Sequence, residues 1–121
     1  MVREQGTYPC SRLLPSGDDV SHLEAGGPVK FAFIIMDEFD PARDRAQIHG
    51  GAARIVGVSS LDEAAAVARE LREDGVGCIE LCGAFGPDGA RRIIEATGGK
   101  VLVGYVTHLP EQDDAYAAAF A

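Results

Sequence analysis

Short apolar runs recur along the chain, separated by turns and amphipathic stretches: "VKFAFIIMD" (29–37), "ARIVGVS" (53–59), "GCIELCG" (77–83) and "KVLVGYVTH" (100–108). Apolar strand, turn, amphipathic helix, repeated in that order, is the pattern of successive βα units and a parallel sheet. Most runs are apolar at consecutive positions, which suits strands covered by helices on both sides. The pattern predicts one α/β domain over residues 29–121, with a four-stranded, mostly parallel sheet, right-handed crossovers and helices on both faces, flavodoxin-like in order. The alternative is a half-barrel of four sequential βα units.

The intervening helices carry end signals. Asp40 followed by Pro41 predicts the start of a short helix, which Gly50 and Gly51 stop. Ser60 and Glu63 form a capping box before "LDEAAAVARELRED", where Leu61, Ala64, Ala65, Ala68 and Leu71 line one stripe up to Gly75. A third helix is expected over "PDGARRIIEAT" up to Gly98 and Gly99, and a fourth over "EQDDAYAAAF". Residues 1–28 are rich in Gly, Pro, Ser and Asp without either periodicity, and are expected to form a flexible N-terminal extension. Its pair Leu13 and Leu14 is apolar enough to pack on a neighbour.

Open parallel sheets bind ligands outside the carboxyl ends of their strands. That edge gathers Asp37 and Glu38, Ser59 and Ser60, Glu80 and Cys82, and Thr107 and His108. The candidate ligand-binding set is Asp37, Ser59, Glu80, Cys82, Gly83, Phe85, Gly86 and His108, and the candidate catalytic residues are Glu80, Cys82 and His108. Glu80 shares a strand face with Cys78 and Cys82, because alternate residues point the same way. A carboxylate there needs a partner or solvent. It serves either as a general acid or base or a ligand anchor, or else as the partner of an arginine such as Arg54 or Arg91, or as part of a contact between subunits. Cys82 precedes a helix start whose field favours a thiolate, but a small apolar core residue satisfies the pattern as well. Gly83, Gly86 and Gly89 form G-x-x-G-x-x-G, which is neither the dinucleotide fingerprint nor a phosphate loop with its lysine, and Asp88 sets a negative charge where a phosphate would lie.

Composition narrows the partners. Of 121 residues 19 are acidic and 11 basic, a net charge of −8. Such a chain repels nucleic acid and anionic lipid, so neither nucleic acid nor a membrane is an expected partner. "FAFIIM" is far shorter than the roughly 20 residues of a membrane helix, and the start lacks the features of a secretory signal, so a cytoplasmic location is expected. Cys78 and Cys82, four apart on one strand, stand about 13 Å from each other and cannot bond to one another. The three histidines share no ligand spacing, so no metal is expected; His49 is read as a favourable charge at a helix C-terminus. The residues do not identify a cofactor. The small core favours a homo-oligomer.

The phrases "IVGV" (55–58), "DEAAAVAREL" (62–71), "IELCGAFG" (79–86) and "GGKVLVGYV" (98–106) resemble "VVGV", "EEAVxVAxEL", "IELCGxFG" and "GGKVPVGVV" in a family of small bacterial and archaeal proteins of unknown function. The resemblance implies a compact α/β domain and carries no activity with it. It departs at Leu102, where the family tends to have proline, and in the acidic, alanine-rich C-terminal segment. Two functions stay open: a small-molecule ligand bound at the strand ends, or a non-catalytic homo-oligomeric module.

Overall fold

The computed structural model describes residues 28–121, so the extension expected over residues 1–28 lies, apart from its last residue, outside the described residues. The fold is α/β, with a five-stranded sheet in the order β2-β3-β1-β4-β5. The strands are β1 (Lys30–Met36), β2 (Arg45–Ile48), β3 (Ala53–Val58), β4 (Val76–Leu81) and β5 (Leu102–Tyr105). The helices are α1 (Leu61–Glu73), α2 (Gly86–Ala96) and α3 (Asp113–Ala119). β1 lies parallel between β3 and β4, and β5 lies parallel beyond β4. β2 pairs antiparallel with β3, so the sheet is mixed.

The fifth strand corrects the expected helix after Asp40. Asp40 does start a turn: its carboxylate accepts from the Ala42 N–H at 3.0 Å and its carbonyl from the Asp44 N–H at 2.7 Å. After that single turn the chain straightens and pairs with β3, from Arg45 opposite Val56 to Ile48 opposite Ala53. Gly50 and Gly51 do not end a helix; with His49 they take φ of 65°, 92° and 51°, the left-handed backbone that reverses the chain from β2 into β3. His49 therefore sits in a hairpin turn and not at a helix C-terminus.

Two other expectations are corrected by topology. The half-barrel requires sequential strands, and β1 between β3 and β4 excludes it. The flavodoxin-like arrangement places helices on both faces because its chain reverses direction across the sheet through helical crossovers. Here both helical crossovers, β3–α1–β4 and β4–α2–β5, move the same way across the sheet, and crossovers of one hand and one direction lay their helices on one face. The opposite step, from β1 to β3, is made through β2 with no helix. α1 and α2 accordingly pack side by side on one face.

That face holds the core. Ala32 and Ile34 of β1, Val56 and Val58 of β3, Ile79 and Leu81 of β4 cluster with Ala64, Ala68 and Leu71 of α1 and Ile93 of α2. Ile34, Leu71, Ile79, Leu81 and Ile93 have no exposed surface. Each such burial contributes about 1.5–3 kcal/mol before the entropy of ordering is set against it. α1 begins where its capping residues place it: Ser60 Oγ accepts from the Glu63 N–H at 3.1 Å, and Glu63 Oε1 accepts from the Ser59 N–H at 2.7 Å. Gly75, at φ 92°, comes after its end, and Gly98 and Gly99, at 67° and 71°, come after α2. The opposite face, carrying Phe31, Phe33, Ile35, Ile55, Cys78 and Glu80 by register, has neither α1 nor α2 over it. Among the described residues no helix is long and apolar enough to cross a membrane.

Candidate functional site

At their carboxyl ends β1 and β4, neighbours in the sheet, send the chain in opposite directions, β1 toward β2 and β4 toward α2 and β5. Such a divergence opens a crevice between the two strand ends. A cleft of about 1010 Å³ lies there. Its floor is Met36 after β1, Cys82, Gly83 and Ala84 after β4, and Tyr105 at the end of β5; its far wall is His108, Asp113, Tyr116 and Phe120.

The wall is built by the segment after β5. Val106 continues the strand pairing by donating its N–H to the Leu81 carbonyl at 2.8 Å, which brings the chain past Cys82. Leu109 and Pro110 then turn it into a short 3-10 segment (Pro110–Gln112) and α3. His108 Nε2 lies 2.8 Å from Asp113 Oδ1. The His108 ring stacks on Tyr116 at 3.9 Å between centroids and 7° between planes, and Tyr116 stacks on Phe120 at 5.9 Å and 25°. Three rings in succession thus line one side of the cleft, with a carboxylate fixing the orientation of the first. α3 buries none of its own residues, so its attachment to the domain runs through this wall.

Cys82 is a half-buried free thiol whose sulfur accepts the Met36 N–H at 3.3 Å. The sulfur thereby ties the end of β1 to the end of β4 at the cleft floor. Thr107 also lines the cleft, and among the described residues no lysine or arginine does. Asp113, the one carboxylate among the described lining residues, is engaged with His108. The surface is mostly apolar and ring-bearing, with polar atoms gathered at His108, Asp113 and Thr107.

Of the expected ligand-binding set, Cys82, Gly83 and His108 come together here. The others stand elsewhere. Asp37 accepts from the Glu38 N–H at 2.8 Å in the loop after β1. The Ser59 hydroxyl donates to Glu63 Oε1 at 2.9 Å, at the start of α1. Phe85 is in the core, 6% exposed, and packs so closely on Gly89 that a Cβ there would meet the Phe85 Cβ at 2.9 Å. Gly86 takes φ 62° on entering α2. The last two glycines of G-x-x-G-x-x-G therefore have conformational and packing duties. Asp88 is exposed and pairs with Arg91 at 2.8 Å.

Glu80 lies on the sheet face opposite α1 and α2, beside Phe33 and Gly104, and is not part of the cleft. Its Oε1 covers the bare Cα of Gly104, where a Cβ would come within 2.8 Å, and its Oε2 lies 3.6 Å from Cys78 Sγ. Burial raises its carboxyl pKa above the ordinary glutamate value. The arginines proposed as its partners are engaged elsewhere, Arg54 with Asp74 at 2.9 Å and Arg91 with Asp88. The carboxylate that meets His108 is thus Asp113. Cys78 is disulfide-bonded, which the strand spacing allows only with a cysteine other than Cys82. Among the described residues no group of three or more His, Cys, Asp or Glu side chains is placed to hold a metal ion.

Met36, Tyr105, Asp113, Tyr116 and Phe120 were not anticipated. The five-residue step from His108 to Asp113 across Pro110 matches no periodic template, although Tyr116 and Phe120, four apart, do carry a helical one. The model of a family described as "Family of unknown function (DUF6506)" matches residues 29–121. No curated protein and no solved structure matches the chain.

Proposed function

The chain belongs to this family of unknown function, and from its geometry we infer that it binds a small, uncharged, planar molecule at the carboxyl ends of β1 and β4. The observation that carries this is the ring wall of His108, Tyr116 and Phe120 facing a cleft of about 1010 Å³, the size of sites that enclose small ligands. Ring faces favour offset stacking with another ring, worth about 0.5–1.5 kcal/mol beyond the area buried. His108 and Thr107 offer hydrogen-bonding groups that fix the ligand's orientation. Among the described lining residues there is no lysine or arginine to give phosphorylated and carboxylated compounds a counter-charge, and the net charge of −8 repels them at a distance.

The test is titration with 2-naphthol and indole, monitored by backbone amide shifts. Saturable shifts at residues 82–84 and 105–108, abolished by Tyr116→Ala and by Ala84→Leu, support the reading. Shifts confined to other regions, or none from either probe, remove it.

The alternative is a non-catalytic module that pairs with copies of itself, and it draws on Phe33 and Ile55, 38% and 40% exposed on the face opposite α1 and α2. Light scattering that shows only monomer at micromolar concentration excludes it.

A further inference from the structure

The His108 ring is held on two sides. Its Nε2 lies 2.8 Å from Asp113 Oδ1, and one of its faces lies on Tyr116 at 3.9 Å between centroids and 7° between planes. Its Nδ1 has no protein hydrogen-bond partner among the described residues. The side chain lines the cleft and keeps 30% of its surface open. The imidazole is thus fixed in place while one of its two nitrogens stays available.

The engaged nitrogen decides what the other one can do. A carboxylate accepts hydrogen bonds and donates none, so the proton of the neutral imidazole belongs on Nε2, facing Asp113. Nδ1 then carries a lone pair and no proton, and it accepts without donating. A nitrogen of fixed character discriminates between ligands more sharply than a hydroxyl that turns to suit either kind. A ligand that brings only an acceptor to Nδ1 sets two lone pairs against each other, both stripped of water. The remainder of the cleft, at Met36, Ala84, Val106 and Phe120, supplies apolar surface for the ligand's ring.

We propose that the cleft selects planar aromatic molecules that carry an O–H or N–H on the ring, phenols and indole-type heterocycles. His108 is the residue that selects them, through a hydrogen bond from the ligand's donor to Nδ1. Asp113 is a positioning residue, which fixes the tautomer of His108 and does not itself meet the ligand. Aryl methyl ethers, N-methylated heterocycles and quinones, which have no donor to offer, are discriminated against. The inference rests on the ligand-binding reading of the cleft and adds to it the chemical class of the ligand.

Dissociation constants are measured on the full chain for 2-naphthol against 2-methoxynaphthalene, and for indole against 1-methylindole, from backbone amide shifts. Each methylated probe is expected to bind about tenfold more weakly than its parent. His108→Phe, which keeps a ring against Tyr116 but has no acceptor, is expected to equalise each pair. Equal affinities within both pairs in the wild type overturn the proposal and leave the cleft standing as a ligand site. Absence of saturable binding by all four probes removes the ligand-binding reading and the proposal with it. A preference that persists in His108→Phe assigns the selection to another group and overturns the role of His108. A second measurement needs no variant: nitrogen-15 imidazole spectra in mildly alkaline buffer, where an imidazole is neutral. They are expected to show the His108 proton on Nε2, and an Nδ1 resonance that moves upfield as 2-naphthol saturates the chain. A proton on Nδ1, or an Nδ1 resonance that saturation leaves in place, overturns the proposal.

Discussion

His108 and Asp113 are joined at 2.8 Å, Nε2 to Oδ1, across a turn of four residues, and this contact with the ring stack behind it fastens the C-terminal segment over the strand ends. Both groups are partly solvent-exposed, so the contact positions the segment more than it stabilises the domain.

His108→Ala and Asp113→Asn are accordingly expected to accelerate amide exchange across residues 109–120 while changing the urea unfolding free energy by less than about 1 kcal/mol. Unchanged exchange in that segment, or loss of the whole domain, contradicts this assignment.

Phe39 lies on Gly57 so closely that a Cβ at position 57 would fall 2.7 Å from the Phe39 Cβ, an atom held by its own backbone. Gly57→Ala should cost about 1–3 kcal/mol in urea unfolding. Most of that cost should disappear in a Phe39→Ala background, because removing the ring lets the loop retreat. Equal costs in the two backgrounds show that the contact is not the cause.

Glu80 titrates with a raised pKa because it is partly desolvated, and this fixes the sign of its pH dependence. In the window above the ordinary glutamate value the folded chain holds the proton that the unfolded chain has released. Relative to Glu80→Gln, the wild type is therefore most favoured below that value and loses stability as pH rises through the folded one. Urea midpoints of both proteins from pH 4 to pH 8 measure the difference; a wild type that gains on the variant as pH rises refutes the desolvated state of Glu80.

The inner strands were legible from residue order because Ala32, Ile34, Val56, Ile79 and Leu81 are apolar for a physical reason: a helix layer removes them from water. α1 was legible because Ser60 and Glu63 solve a local problem, the unpaired N–H groups of its first turn. β2 was hidden behind Asp40 and Pro41, which make the turn they predict, while pairing with β3 sets the conformation of the residues beyond that turn. The placement of both main helices on one face depends on the direction in which the chain crosses the sheet, which no local pattern of residues records. That Glu80 shares a face with Cys78 is legible from the strand period, but which face α1 and α2 cover is not. The cleft was located by the rule for strand ends; its wall was missed because His108 and Asp113 meet through a turn, not through a helix or strand period.

β2 and β5, the outermost strands, are four residues long, against six or seven for the strands inside them. A sheet border that short offers an intruding chain few N–H and C=O groups, and Arg45 begins β2 with a charge that an added strand would have to accommodate. The brevity of its borders is how this mixed sheet resists growing sideways into an aggregate.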